Sequence, residues 1–176
     1  MSLDNSELYN TTKLASKKEN IAKDIFYNNI VPLAQESFEH DGKVMPMVFV
    51  FLDDGTEDKV AITPMPAAMF MESDDTKQVL SDILKEFTNV IEIVAIGMFA
   101  EAWATRVDAE TGEQSEKNEI VYYSFESENM VCMQRDEVVR EEGKPVQLKH
   151  GKVDQNGEYS GKFVGFLKDM RKIKEN

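Results

Sequence analysis

The chain is poor in the residues that carry most protein chemistry. It has one cysteine, one tryptophan, two histidines and five prolines. The lone cysteine, Cys132, excludes an internal disulfide and suits a reducing compartment. Its neighbours Met130, Val131 and Met133 bring no base or helix terminus to activate a thiol, so an inert, buried side chain is expected. His40 and His150 sit in no metal-binding or catalytic spacing. Cys-x-x-Cys, Glu-x-x-His and the phosphate-binding glycine patterns are all missing. Capping and surface roles are therefore expected for both histidines, with no cofactor and no assigned catalytic or metal-binding residue. The longest uncharged apolar run, Ile93 to Ala100, falls far short of the ~20 residues that cross a bilayer. No basic head followed by a hydrophobic block opens the chain, so a cytoplasmic location without a membrane partner is expected.

Positive charge is also scarce, at 20 Lys and Arg against 33 Asp and Glu, a net charge of −13. The imbalance is local: residues 1–30 are neutral, residues 31–142 carry −17 and residues 143–176 carry +4. An acidic body argues against direct nucleic-acid binding and against attraction to anionic membranes. With 41% hydrophobic residues the chain can still bury an ordinary core. One α+β domain over residues 1–176 is expected, with 1–17 a loosely held arm.

The longest apolar passage, Val90 to Asp108, separates a helix-patterned front from a strand-patterned back. Period two puts Ile91, Ile93, Ala95, Gly97, Phe99, Glu101 and Trp103 on one face and Val94, Ile96, Met98 and Ala100 on the other. A strand covered on both sides follows. Nineteen residues at ~3.3 Å each would exceed ordinary strands, so a late start or a bulge near Gly97 is expected.

Before it, Ile21, Ile25, Phe26, Ile30 and Leu33 mark an amphipathic helix running to Phe38, with Pro32 predicting a kink near Asn28-Asn29 and Gly42 closing the end. Val44 to Leu52 and Lys59 to Thr63 read as strands joined at Asp53-Asp54-Gly55-Thr56, with Pro64-Met65-Pro66 ending the second. Ser73 caps a helix striped by Val79, Leu80, Ile83, Leu84 and Phe87. Antiparallel strands follow over 119–125, 130–139 and 146–153, a turn at Gln155-Asn156-Gly157, and a basic helix from Ser160. The predicted architecture is a mainly antiparallel sheet of about five or six strands, with helices packed on one face.

Three features invite functional readings. Glu101 interrupts an apolar face between Phe99 and Trp103; it is either a buried site carboxylate or the ion-pair partner of Arg106 or Arg135. Met65, Met69, Phe70 and Met71 either line an adaptable groove or roof the core. Asp53 to Asp58 and Asp154 to Glu158 superficially suggest calcium loops but lack the ligand spacing, and read better as turns.

Gly42, Pro46, Asp54-Gly55 and Glu101-Ala102-Trp103 together resemble a loose set of uncharacterised bacterial and phage-encoded proteins, over about residues 40–125. Those combine a leading helix, a hairpin with an Asp-Gly turn, a second helix and a Glu-Ala-Trp strand. The resemblance implies this topology and a mobile-element origin, and carries no activity. The expected function is a non-enzymatic binding or assembly protein acting on a protein partner or on itself as a homodimer. Its candidate surface is Glu101, Trp103, Met65, Met69, Phe70 and Met71. Two alternatives remain: an acidic nucleic-acid mimic that inhibits a DNA-binding partner, motivated by eight acids between Glu101 and Glu128, and a metal-dependent hydrolase built from Glu101, Glu126 and a histidine.

Overall fold

The computed structural model describes residues 17–90, 92–105, 108 and 110–155, with side chains of 88–90 outside that description. The expected Gln155-Asn156-Gly157 turn, the basic helix from Ser160 and nearly all of the N-terminal arm lie outside the described residues.

Helix α1 covers 17–41, and its middle turn, Phe26–Ile30, is a π-helix. The cause lies two positions past its end. Pro32 has no N–H to donate, and its ring would crowd the carbonyl four residues back, so the chain widens by one residue there. The kink expected at Asn28-Asn29 thus takes the form of a π-turn. That extra residue re-aims everything after it. Ala22 and Phe26 are buried, and the next buried position is Val31, five residues on, followed by Ala34 and Phe38. Leu33, expected in the core stripe, is 66% exposed for this reason. Gly42 closes the helix at φ 69°, donating its N–H to the Phe38 carbonyl at 2.7 Å.

Strands β1 (Met47–Asp53) and β2 (Val60–Pro66) form an antiparallel hairpin. Asp53 accepts the Gly55 N–H at 2.7 Å and Asp54 the Thr56 N–H at 2.9 Å, so the acidic stretch is turn chemistry, as expected. Contrary to expectation, β2 runs through both prolines. It is the edge of the sheet, where a proline costs nothing if its missing N–H would have faced solvent. A 3₁₀ turn (Ala68–Phe70) leads into α2 (Asp74–Val90). Ser73 caps α2: its Oγ accepts the Thr76 N–H at 3.2 Å while Thr76 Oγ1 accepts the Ser73 N–H at 3.1 Å.

The long strand β3 is Ile93–Ala104. It starts late, as predicted, and its irregularity lies at Val94 and not at Gly97: Phe51 pairs with Ala95 but Leu52 with Ile93. The bulge reverses the alternation, so Ile93 packs with the second face and Val94 with the first, opposite to the simple two-residue reading. Strands β4 (Asn118–Ser127), β5 (Val131–Val139), β6 (Gln147–Lys149) and β7 (Asp154–Gln155) complete the sheet in the order β2-β1-β3-β4-β5-β6, with β7 also on β5. Of the strand expected over 146–153 only Gln147–Lys149 forms, and residues 150–153 are irregular.

The α+β class and the mainly antiparallel sheet are as predicted. Helix α1 covers one face, joining Phe26 and Phe38 to Phe51, Phe99, Val121, Tyr123 and Phe125. Gly97 lies under this layer, where a Cβ would come within 2.5 Å of the Phe26 ring. The absence of a side chain lets helix and strand approach. Helix α2, expected on the same face as α1, joins the opposite one through Leu80 and Leu84 against Val48, Val50, Ile96, Met98 and Ala100. The apolar surplus on β3 is thereby covered on both sides within one chain.

Candidate functional site

Where β1 begins and β3 ends, the second face opens into a cleft of about 610 Å³, within the usual range for ligand sites. Ala100 and Ala102 of β3 form a shallow floor beside Tyr122 of β4, which stands opposite Ala100. Met71, Asp74 and Lys77, from the start of α2, make one wall. Lys43, Val44 and Pro46, the lead-in to β1, make the other, and Glu101 lies at the margin. The small alanines create the space; a leucine at either position would occupy it. Burial pushes the Tyr122 phenol up to about 12, so it is a neutral hydrogen-bond donor at physiological pH. Lys77 lies 3.7 Å from Asp74.

The sequence candidates gather at this end of the sheet in different ways. Met71 lines the cleft. Met65, Phe70 and Met71 pack partly buried against the second-face core, while Met69 is 66% exposed. The methionine cluster is thus mainly a roof, with one projecting residue. Trp103 is 69% exposed. Met45, which the sequence reading did not single out, is 57% exposed on the strand lead-in beside them. Glu101 is exposed and accepts the Val44 N–H at 2.6 Å. Its proposed pairing with Arg135 is corrected by strand parity: Arg135 lies two strands away and on the other face. The nearby cation is Arg140, whose charge is stabilised by Glu119 and, more remotely, by Glu101. Arg106 lies outside the described residues.

The metal site imagined from Glu101 and Glu126 does not assemble. Glu101 stands opposite Val121 and Glu126 opposite Ile96, five residue steps apart and on opposite faces of the sheet. Among the described residues no three His, Cys, Asp or Glu side chains are placed to hold a metal ion. The acids of 101–128 are likewise dispersed. Glu126 is buried, Glu119 is bound by Arg140 at 2.6 and 2.8 Å, and Asp108 accepts the Glu110 and Thr111 N–H groups. A phosphate-like array needs those carboxylates displayed together.

His40 is exposed beside Asp41, which raises its pKa through a 2.7 Å contact. Cys132 is fully buried, and desolvation pushes its thiol up, as expected for an inert residue. His150 proved more engaged than a surface residue. Its Nδ1 lies 3.0 Å from Asp136, a carboxylate with no exposed surface. Asp136 also accepts from Gln35 (2.6 Å), Gln134 (3.0 Å) and the Gly151 N–H (3.0 Å). It ties α1, β5 and the interruption between β6 and β7 to one point. The sequence reading missed it. The available signal was an acid in step with Cys132 and Gln134 on the inward side of a strand.

No protein-family model matches the chain, and comparison with curated proteins and with solved structures returns no match. Among the described residues no helix is long and apolar enough to cross a membrane.

Proposed function

We propose that this chain is a non-enzymatic binding protein, and that it engages a protein partner through the sheet end holding the cleft. The observation that carries this reading is a roomy cleft with an alanine floor and a charged rim, at the end of β3 where Trp103 is left 69% exposed on the opposite face. Such a surface combines an apolar anchor site with polar groups that set orientation. The reading is supported by the polar groups of the rim: Lys77 lies 3.7 Å from Asp74, and the Tyr122 phenol keeps a proton to donate. Self-association is less favoured, because both faces of β3 and most of the methionine cluster are already packed within the chain.

The test is affinity capture from host lysate with the wild-type chain, an Ala102→Trp variant that fills the cleft and a Trp103→Ser variant. A partner held by the wild type in high salt and lost by both variants supports the reading. A partner held equally by all three places binding elsewhere. A DNA-binding protein recovered only at low salt would favour the nucleic-acid mimic.

A further inference from the structure

Beside the cleft the backbone of β3 has an open edge. In an antiparallel ladder a residue turns both its N–H and its C=O toward the same neighbour, and successive residues alternate. Two bonds fix that alternation in β1. Ala67 donates to the Pro46 carbonyl at 2.9 Å, so even-numbered residues of β1 turn toward β2. Asp53 donates to the Glu92 carbonyl at 3.2 Å, so odd-numbered residues turn toward β3. Through the pairing of Met47 with Phe99, the odd-numbered residues of β3 face β1 and the even-numbered ones face β4. Pairing with β1 ends at Phe99. Glu101 and Trp103 therefore point their backbone groups to the side where β1 has already turned away. Met45 and Lys43 are the residues a continued ladder would set opposite Glu101 and Trp103, but the pairing stops short of them, and Val44 between them gives its N–H to the Glu101 side chain. Among the described residues no strand takes this position.

We propose that an extended segment of a partner protein pairs as an added strand with β3 at Glu101 and Trp103, and sets one large apolar side chain into the cleft over Ala100 and Ala102. The assignment rests on the binding function proposed above and names its partner class. Strand addition supplies affinity through main-chain bonds, and a pocket beside the edge reads alternate side chains. The cleft lies on the face that receives every second side chain of such a strand. Trp103, on the opposite face and 69% exposed, covers the intervening one. Lys43 lines the cleft and enters no ion pair among the described residues, so a carboxylate on the incoming segment complements it.

The probe is a display library of random linear nonapeptides panned against the full chain, with selected peptides synthesised and amide hydrogen exchange followed with and without them. In the free protein the Glu101 and Trp103 amides should exchange about tenfold or more faster than those of Ala100 and Ala102, which face β4. Bound peptide should slow both edge amides. Trp103→Pro, which removes an edge N–H without touching the β4 ladder, should weaken the peptide about tenfold or more, and Trp103→Ala, which keeps it, should weaken it less. Peptides that compete with cleft filling yet leave the edge amides unprotected overturn strand addition and leave the binding reading standing. Edge amides already as protected as their neighbours, or protection that grows with protein concentration alone, overturn it as well, the latter in favour of a second copy. A library yielding no binder removes both.

Discussion

The two faces of this sheet are held by different means. On the first, α1 is fastened by an aromatic core and by polar ties along its length. Lys18 pairs with Asp53, and Glu19 takes the Asn129 N–H at 3.2 Å. Tyr27 donates to the Tyr123 carbonyl at 3.3 Å, and Gln35 reaches Asp136. Lys18 and Glu19 are themselves buried, at 4% and 2% exposure, and charges so placed fix position because leaving either unpaired is costly. On the second face α2 relies on Leu80 and Leu84, while Val79 (50%) and Phe87 (39%) stay partly in solvent. Its described hydrogen bonds are local, such as Gln78 to Asp82 at 2.9 Å. A helix held at many points leaves no room beneath it. One held at two leaves a cleft at its end.

The comparison breaks most visibly in the cores. Phe26→Ala should cost about 3–5 kcal/mol in denaturant unfolding, because the ring touches Tyr27, Phe49 and Phe125 and its layer is clamped against relaxing. Leu84→Ala should lie at the low end of the ~2–5 kcal/mol range, since α2 has few fastenings and can settle toward the sheet. Equal losses would remove the distinction.

Asp136→Ala comes next, at about 3 kcal/mol, as four donors lose a fully buried acceptor. Gln35 and Gly151 amide exchange should quicken in the same variant. A loss below about 1 kcal/mol would deny the hub its role.

Gly97→Ala should cost about 1–3 kcal/mol by forcing Cβ against the Phe26 ring. Adding Phe26→Leu should recover part of that, so the double-mutant cycle must show favourable coupling. Strict additivity would place the strain elsewhere.

The pH dependence separates the faces further. Lys18 above all, with the Gly55 N–H, lowers the Asp53 pKa, and Arg140 lowers that of Glu119. Both carboxylates favour the folded state above their unfolded values of ~3.9 and ~4.3, and the benefit is lost as pH falls through the lowered folded ones. Asp53→Asn should flatten that acid limb. Tyr122 works in the other direction: its stabilisation is complete below ~10 and is lost as pH rises toward about 12. Tyr122→Phe should therefore flatten the alkaline limb in melts between those values. The smallest effects belong to Leu33→Gln and Val79→Gln, each within about 0.5 kcal/mol, since both side chains already meet water on their respective helices.

Much of the architecture was legible because it rests on local chemistry. The Ser73 cap, the Gly42 stop, the Asp-Gly turn and the period-two run of β3 each depend on neighbours a few residues away. Harder to read were effects that act across strands. One bulge at Val94 reversed two side chains, and one π-turn before Pro32 moved Leu33 out of the core. Of the candidate surface, Trp103 and Met69 were identifiable as apolar residues in odd company, but Lys43, Lys77 and Tyr122 carry no sequence signal for a shared cleft.

The sequence by itself determined the class of fold, because hydrophobic periodicity and turn residues leave few arrangements open to such a chain. It also determined the thin catalytic inventory, since cysteine and histidine are nearly missing. Only the tertiary structure decided that Glu101 and Glu126 stand apart, that Asp136 gathers four donors, and that β3 outlasts β1 to leave an edge beside a cleft. Those facts depend on strand register, and register is set by the whole set of pairings at once. No short stretch of the chain contains it.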